Sequence, residues 1–509
     1  MKHTLLTILL CVLPLSAIPA EAARADLAEE AGEAMKKACS YLIDEVSCNG
    51  GFVWYYLPDF SRRWGELEAT PTMIWLQDPG TAGVGNMLLD AYEATGDEFY
   101  YSAAEKVGAA LIHAQLDCGG WNYVYDFSGR DSLIRWYDTV GASAWRLEEF
   151  QEFMDNATFD DGCTVCCTRM LLRLYHKKLD PKYRPAIDKA LDFVLESQYP
   201  SGGWPQRWPL RDNYSSCITL NDSVTQDAAA LMLEAYGIFG DKRYRESAMR
   251  AMYLTILLQQ GQPYAGWSDQ YSVEDLKPAA ARTYEPRSVN PATTVSMIRQ
   301  MTEYYRLTGD TRFLSGIPAA IGFLESLRLP ESEVERWGRT SDDPEAFLVP
   351  RFICPETGEP MYIHRRGSNS YNGRYYSDDD ISGTIRHYSS AVWVNTAQLR
   401  REYEAVLAGK AEVPANEPGP VSEAEVKKII SELDGDGRWL TPLTNTSNPY
   451  LPCPGTGPSD ETAYCATNAG DCYDTSPYRL DEPVPGISVQ EYMRRIGLLT
   501  EFIKENKDK

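Results

Sequence analysis

Residues 164–204 read TVCCTRMLLRLYHKKLDPKYRPAIDKALDFVLESQYPSGGW, and this stretch decides the fold. Apolar side chains recur three and four residues apart on both sides of Asp180-Pro181, as at Ile187 and Leu191. That spacing predicts two amphipathic helices joined by a short polar turn. The residues Gly202-Gly203-Trp204 then predict a loop that ends the second helix. The stretch therefore predicts a helical hairpin closed by a Gly-aromatic loop.

The same unit recurs along the chain. Its closing loops are Gly50-Gly51-Phe52, Gly119-Gly120-Trp121, Gly202-Gly203-Trp204 and Gly266-Trp267, and its turns include Gly96-Asp97, Gly240-Asp241 and Gly309-Asp310. Strong strand patterns are few. A repeat that holds two helices predicts stacked helical hairpins, and closing them into a ring predicts an all-α fold, an incomplete α/α toroid. We expect the irregular Gly-aromatic loops to gather at the end of the ring where a cleft forms.

The two ends of the chain predict separate segments. An apolar run, Leu5–Ile18, precedes Ala20-Glu21-Ala22, which is typical of a secretory signal peptide over residues 1–22. The toroid is expected over residues 23–409. Because a polar, Pro-rich stretch begins at 410, residues 410–509 are interpreted as a C-terminal extension that packs on the toroid. The chain is therefore expected to be secreted, to the extracellular space or the periplasm.

The formal net charge is -24 and the sequence pI is about 4.7. So acidic a surface argues against nucleic-acid binding, which needs local basic charge. After the first 22 residues, no apolar stretch is long enough to cross a bilayer, so we expect no membrane partner. We also expect a monomer. If the substrate is a polyanion, its site must carry local arginine or recruit a cation.

Acidic residues stand at the start of two predicted inner helices. Asp160-Asp161-Gly162 precedes the helix from Thr164, and Asn221-Asp222 precedes the helix from Val224. Taken locally, both groups read as helix N-caps. Because a ring of hairpins brings neighbouring helix starts together, they also predict an oxygen-rich site that suits Ca²⁺.

Arginines form a second group on predicted loops. Its members are Arg282, Arg365, Arg366 and Arg386. Each one alone reads as a solvated surface side chain. In so acidic a chain, together they are compatible with recognition of carboxylates by planar guanidinium groups. No H-E-x-x-H or G-x-S-x-G motif is present, so zinc proteolysis and serine hydrolysis find no support.

An ordered set of short motifs resembles the toroidal pectate lyases, polysaccharide lyase family ten. The motifs are Gly202-Gly203-Trp204-Pro205-Gln206, Ile218-Thr219-Leu220-Asn221-Asp222, Asp161 to Thr164, Gly266-Trp267 with Gln270, and Ala281-Arg282-Thr283-Tyr284-Glu285-Pro286. The resemblance covers approximately residues 90–400. It implies a Ca²⁺-dependent lyase that cleaves α-1,4-polygalacturonate by β-elimination and gives 4,5-unsaturated oligogalacturonides.

The resemblance also implies roles for single residues. Asp160, Asp161 and Asp222 look like the positions that hold Ca²⁺ and substrate, Arg282 like the residue that removes the C5 proton, and Arg365, Arg386, Asn221 and Trp204 like substrate-binding positions. The family typically has Asn where this chain has Asp161, so the site carries an extra negative charge. The loop after His364 also departs from the family, which leaves Arg366 as an alternative to Arg365. Because neutral arginine is the implied base, we expect a high pH optimum.

Other functions remain open at this point. The Gln-x-x-x-Gly-Gly-Trp segments resemble those of toroidal triterpene cyclases, although export argues against that class. An α/α-toroid uronyl hydrolase would use two carboxylates and no Ca²⁺. A non-catalytic toroid would bind glycans through its Trp-rich loops, whose alternative role is core packing.

Overall fold

The computed structural model describes residues 20–144, 150, 152–153, 155–366, 374–385, 390–409, 420–447 and 477–507. The helices are α1 (Ala20–Tyr41), α2 (Thr81–Thr95), α3 (Glu98–Ala114), α4 (Arg130–Thr139), α5 (Cys163–Lys178), α6 (Arg184–Glu196), α7 (Val224–Phe239), α8 (Lys242–Leu258), α9 (Pro291–Thr308), α10 (Arg312–Ser315), α11 (Ile317–Ser326), α12 (Glu331–Trp337), α13 (Thr396–Leu407), α14 (Glu423–Ser431) and α15 (Val489–Lys507). No helix in these ranges has the length and apolar character needed to span a membrane.

The helices pack as an incomplete α/α toroid, which confirms the predicted fold class. Helices α2, α5 and α7 contact one another in succession, and each packs against the helix that follows it, α3, α6 and α8. At the α7–α9 boundary, the Gln226 amide lies 3.3 Å from Met297 Sδ. At the N-terminal side, α15 packs against both α1 and α2. The end of the chain thus packs beside the first hairpin.

The Gly-aromatic loops have a common hydrogen-bond pattern. The aromatic residue donates its backbone N–H to a threonine hydroxyl at the start of the next inner helix: Phe52 to Thr81 (3.0 Å), Trp121 to Thr164 (3.1 Å), Trp204 to Thr225 (3.4 Å) and Trp267 to Thr294 (3.0 Å). The buried indoles donate in turn to backbone carbonyls of the outer helices, Trp121 to Leu111, Trp204 to Val194 and Trp267 to Thr255. These bonds satisfy polar groups that burial would otherwise leave unpaired.

Glycine is required where these loops meet the next outer helix. Gly119 and Gly202 have φ of 107° and 116°, a region that L side chains rarely adopt. A Cβ at Gly119 would lie 2.3 Å from the Lys189 carbonyl oxygen, and one at Gly202 would lie 2.5 Å from that of Arg250. The first glycine of each pair therefore allows the loop backbone to pack directly on the neighbouring hairpin.

Short antiparallel strands lie in the connections between helices. They are β1 (Tyr55–Tyr56), β2 (Arg63–Trp64), β3 (Met73–Trp75), β4 (Val124–Asp126), β5 (Ala157–Thr158), β6 (Arg207–Trp208), β7 (Ile218–Thr219), β8 (Gln270–Tyr271), β9 (Pro278–Ala279), β10 (Phe347–Pro350), β11 (Phe352–Ile353), β12 (Pro360–Arg366), β13 (Arg374–Asp378), β14 (Ala391–Val394), β15 (Thr441–Ser447) and β16 (Pro477–Ser488). The pattern from Ala391 to Leu407 predicts a further helical unit, and this prediction is wrong at its start, because Ala391–Val394 pairs with β10 and the helix begins at Thr396.

The many Pro, Thr, Asn and Gly residues between 440 and 485 predict a long irregular segment. In the described residues it instead contains β15 paired with β16, and β16 continues the pairing to β1. The sequence pattern missed these strands because they are rich in Pro, Thr and Asn, which have low or mixed strand propensity. The predicted helix before them is confirmed, with the Ser422 hydroxyl accepting from the Glu425 backbone N–H at its start.

Candidate active site

Two turns of matching shape precede α5 and α7. Each is a 3₁₀ turn, Asp160–Gly162 and Asn221–Ser223, and the two turns contact each other. Asp161 and Asp222 occupy the same position in their turns, with φ/ψ of 49°/28° and 48°/28°. Asp and Asn tolerate this left-handed conformation better than most residues do. The repeat thus places two aspartates in equivalent geometry on neighbouring hairpins.

The acidic residues in these turns are not helix caps. The N-cap residues of α5 and α7 are Gly162 and Ser223, and neither makes a side-chain capping bond. The local interpretation of Asp160, Asp161 and Asp222 as N-caps is therefore wrong. Their carboxylates instead face other side chains.

Asp160 is buried, and its carboxylate meets a buried cation. Its Oδ2 accepts from Arg282 Nη2 at 3.0 Å and from the Tyr123 hydroxyl at 2.7 Å. The side chains of Asp160 and Arg282 each retain only 1% exposure. Oδ1 of Asp160 is buried and makes no hydrogen bond. An unpaired, buried carboxylate oxygen is costly unless a cation or proton meets it.

Arg282 lies between two carboxylates. Its Nη1 is 3.2 Å from Glu285 Oε2, and the same oxygen accepts the Arg282 backbone N–H at 3.1 Å. The guanidinium carbon lies 5.8 Å from the ring centroid of Tyr214. Burial raises the pKa of Glu285, and the positive charge of Arg282 opposes that rise. The interpretation of Arg282 as a solvated surface arginine is therefore wrong.

Asp161 and Asp222 lie closer to solvent than Asp160. Asp161 Oδ2 accepts from Gln77 Nε2 at 2.5 Å and from the Tyr123 hydroxyl at 3.0 Å. Asp222 Oδ2 accepts from the Asn221 side-chain amide at 2.6 Å. The pKa of Asp222 is raised well above its ordinary value. The first cause is that the surrounding protein displaces water from the carboxylate, and the second is the negative charge of Asp160 and Asp161. The positive charge of Arg282 opposes the rise. Asp160 and Asp161 are therefore close enough to Asp222 to disfavour its charged form.

A cation would relieve this repulsion, and the donor set fits Ca²⁺. The two turns carry three carboxylates, and one of them has a buried oxygen without a partner. Hard oxygen ligands of this kind are those that Ca²⁺ prefers. Among the side chains that the structure describes, no three acidic, histidine or cysteine groups are close enough together to enclose an ion by themselves.

Arg365 and Arg366 point away from each other on β12. Arg365 is 3% exposed and pairs in register with Tyr375, whose ring lies 5.2 Å from that of Tyr284. Ile363, on the same face of the strand, packs with Tyr284 as well. Arg366 is exposed and stacks over Tyr376. The structure thus directs Arg365, and not Arg366, toward the segment that carries Arg282.

The remaining predicted residues fall in different places. Asn221 lies in the second turn, at the position equivalent to Asp160. Trp204 is fully buried, with its indole bonded to Val194, so its ring is not available to stack on a sugar. Arg386 lies outside the described residues.

The sequence analysis did not single out Gln77, Tyr123 and Arg207. Arg207 is 2% exposed, and its guanidinium lies over the Tyr123 ring at 5.2 Å from the ring centroid.

Three solved structures to which this chain is similar are the following. A family 10 polysaccharide lyase from Cellvibrio cellulosa is 20% identical, with 58% of this chain and 87% of that chain covered and a TM-score of 0.40. A mutant of that lyase in complex with trigalacturonic acid is 18% identical, covers 63% and 95%, and has a TM-score of 0.42. A family 76 glycoside hydrolase, a mannosidase from Bacteroides thetaiotaomicron, is 11% identical, covers 95% and 100%, and has a TM-score of 0.43. The comparison with curated proteins gives no match.

The sequence itself matches one family model. The match is to the pectic acid lyase family and extends over residues 134–373. That segment contains both acidic turns, Arg282 and Arg365. The match confirms the resemblance that the motifs indicated. Residues 134–373, which carry both acidic turns, are therefore similar to the pectic acid lyase family, and the match supports a polysaccharide lyase.

Proposed function

We propose that this chain is a secreted pectate lyase that cleaves α-1,4-polygalacturonate by Ca²⁺-assisted β-elimination and releases 4,5-unsaturated oligogalacturonides. The observation that carries the proposal is the buried contact between Arg282 and Asp160 where the two acidic turns meet. The pectic acid lyase family match over the same residues supports the substrate class.

The charge of the chain makes local recognition necessary. With a net charge of -24, the protein repels a polyuronate at long range. Buried arginines at the site, Arg282 and Arg365, supply positive charge where it is needed. A planar guanidinium bonds a carboxylate through two parallel N–H groups, which fits a uronate ring.

The reaction transfers the C5 proton of a uronate to a base and breaks the bond between C4 and the glycosidic oxygen. The C5–H electron pair becomes the C4–C5 double bond, and the departing oxygen takes a proton from solvent. Arg282, in its neutral form, is the proposed proton acceptor. Arginine ordinarily keeps its proton far into the alkaline range, and Arg282 makes ion pairs with Asp160 and Glu285. The rate should therefore rise with pH through the alkaline range.

Asp160, Asp161 and Asp222 are the proposed holders of the cation. Because Ca²⁺ takes about six to eight oxygen ligands, water and the uronate carboxylate would complete its shell. When bound, Ca²⁺ supplies positive charge that stabilises the enolate-like charge on the substrate carboxylate. Asp222 loses its proton more readily when a cation is near, because the neighbouring carboxylates no longer disfavour its charge.

The experiment follows the ultraviolet absorbance of the unsaturated product as full-length protein is mixed with polygalacturonate at alkaline pH. The proposal expects a rise that needs Ca²⁺ and stops on addition of chelator. New reducing ends without that absorbance would identify a hydrolase. Saturable binding to polygalacturonate without turnover would identify a glycan-binding toroid.

Two variants locate the reaction at the site. Arg282→Lys keeps a positive charge between Asp160 and Glu285, and we expect at least a hundredfold loss of rate. Arg400→Lys is the matched control, since Arg400 makes an exposed bidentate pair with Glu325 far from the turns. Equal activity of the two variants would contradict the role of Arg282.

Export is a separate part of the proposal. It rests on the apolar run Leu5–Ile18 and the small residues that follow it. Expression of the full chain should yield an extracellular or periplasmic protein whose mature N-terminus lies after Ala22. An intact N-terminus on protein that stays inside the cell would contradict it.

A further inference from the structure

Two donors hold the carboxylate of Asp161 in place. Gln77 Nε2 donates to Asp161 Oδ2 at 2.5 Å, and the Tyr123 hydroxyl lies 3.0 Å from the same oxygen and shares its single proton between Asp161 and Asp160. Gln77 is 3% exposed, and its own oxygen accepts the indole N–H of Trp75 at 2.8 Å. That bond fixes the orientation of the amide, so its N–H groups face Asp161 and Glu66. The amide therefore cannot rotate away from Asp161 without breaking a buried hydrogen bond.

Tyr123 joins the two aspartates of the first turn. Its hydroxyl lies 2.7 Å from Asp160 Oδ2 and 3.0 Å from Asp161 Oδ2. Its ring is fully buried under the guanidinium of Arg207. Because the contacts engage Oδ2 of Asp160, its other oxygen is the buried atom that has no partner. Tyr123 and Arg282 thus both engage Oδ2 of Asp160 and leave Oδ1 as the oxygen that a cation could meet.

A single small sheet positions both donors. Strands β3 and β4 pair with Trp75 opposite Val124, and the Leu76 backbone N–H donates to the Tyr123 carbonyl at 2.7 Å. Gln77 lies two residues after the end of β3, and Tyr123 directly precedes β4. Their separation is therefore fixed by backbone hydrogen bonds and not by flexible loops.

These residues lie outside the segment that matches the family model. The match begins at residue 134, whereas Gln77 and Tyr123 belong to the loops of the preceding hairpin. The carboxylates come from the matched segment, and the groups that orient them come from the part of the chain before it.

We propose that Gln77 and Tyr123 are positioning residues that orient Asp161 and Asp160 for Ca²⁺ binding. The inference rests on the proposed function. A carboxylate that is already oriented loses less freedom when it binds an ion, so removal of either donor weakens Ca²⁺ binding. Both donors are buried, so their loss should act through the two aspartates.

The test uses Gln77→Met and Tyr123→Phe in the full chain, which remove the donors and keep the side-chain volume. Each should raise the Ca²⁺ concentration for half-maximal rate by about threefold to tenfold, the size of one hydrogen bond. Calorimetric titration with Ca²⁺ in the presence of polygalacturonate oligomers should show the same shift without reliance on turnover. The value of KM at saturating Ca²⁺ should stay within about twofold of the wild type.

Matched controls separate positioning from general loss of stability. Gln115→Met removes an amide that donates to the Gly119 and Ala186 carbonyls far from the turns, and Tyr125→Phe changes a tyrosine on β4 beside Tyr123. Both should leave the Ca²⁺ dependence unchanged. In an Asp161→Asn background, Gln77→Met should have less effect on Ca²⁺ binding than in the wild type, because the two residues act together.

The outcomes distinguish this inference from the proposed function. Ca²⁺-dependent lyase activity with unchanged Ca²⁺ binding in both donor variants would overturn the inference and leave the function standing. If the effects of Gln77→Met and Asp161→Asn on Ca²⁺ binding simply add in the double variant, the positioning role of Gln77 is overturned. A wild-type protein that neither binds Ca²⁺ with oligomers nor cleaves polygalacturonate would overturn both.

Discussion

The Arg282 guanidinium contacts the Asp160 carboxylate at 3.0 Å, although 122 residues separate them in the chain. Both side chains are almost completely buried, and Glu285 holds the other side of the guanidinium. A buried ion pair is costly to form and more costly to break, because the remaining partner keeps its charge without compensation. Its presence at the meeting point of two acidic turns indicates a functional centre.

Asp160→Asn removes one of the two carboxylates that compensate Arg282. We expect the free energy of unfolding to fall by about 3 kcal/mol, together with loss of lyase activity. Chemical denaturation and the initial rate on polygalacturonate measure the two effects. Asp241→Asn is the control, since Asp241 pairs with Arg243 on the surface and should change both values little. Wild-type stability in Asp160→Asn would contradict the buried pair.

Asp222→Asn should separate stability from function. The pKa of Asp222 is raised in the folded state, which means that the folded protein disfavours the charged carboxylate. Above the folded-state pKa, this charge lowers the free energy of unfolding. At pH 8 without Ca²⁺, the variant should therefore melt at a higher temperature than the wild type. The gain should be small, because the side chain is open to solvent, and it should shrink as the pH falls and Asp222 becomes protonated.

The same variant should lose Ca²⁺-dependent activity. Thermal unfolding with and without Ca²⁺ provides the check: the wild type should gain stability on addition of Ca²⁺ and oligomers, and Asp222→Asn should gain less. A variant that melts below the wild type at pH 8 would contradict the assignment of repulsion at Asp222.

Arg365→Lys tests which arginine of β12 faces the site. Lysine keeps the charge but cannot form two parallel bonds to a carboxylate, so we expect KM for polygalacturonate to rise about tenfold. Arg366→Lys, one position along the strand and exposed, should stay within about twofold of the wild type. A larger rise in KM for Arg366→Lys than for Arg365→Lys would place Arg366, and not Arg365, in the cleft.

Trp204→Phe tests the buried position of that indole. The substitution removes the hydrogen bond to the Val194 carbonyl and part of the core, and we expect a loss of about 2 kcal/mol in unfolding free energy. KM should not change, because the ring is not exposed. Trp208→Phe, at a half-buried position, serves as the comparison. A large rise in KM with unchanged stability would restore the stacking role.

Periodicity predicted the helical hairpins because apolar spacing and Gly-aromatic loops are local properties of the chain. The predicted helix over residues 164–175 is found as Cys163–Lys178, and that over 293–308 as Pro291–Thr308. The strand at Ala391–Val394 escaped this reasoning, since its structure depends on β10, more than 40 residues earlier in the sequence.

The sequence by itself determined the ring of hairpins, the acidic turns before two inner helices and the resemblance to pectate lyases, all of which follow from local spacing and motif order. Only the tertiary structure decided how the polar residues are used. It turned Asp160 and Asp161 away from capping, buried Trp204 in the core, directed Arg365 inward and brought Gln77 and Tyr123 to the aspartates. The physical reason is that burial, charge pairing and hydrogen-bond partners depend on chain segments that meet only when the hairpins pack together.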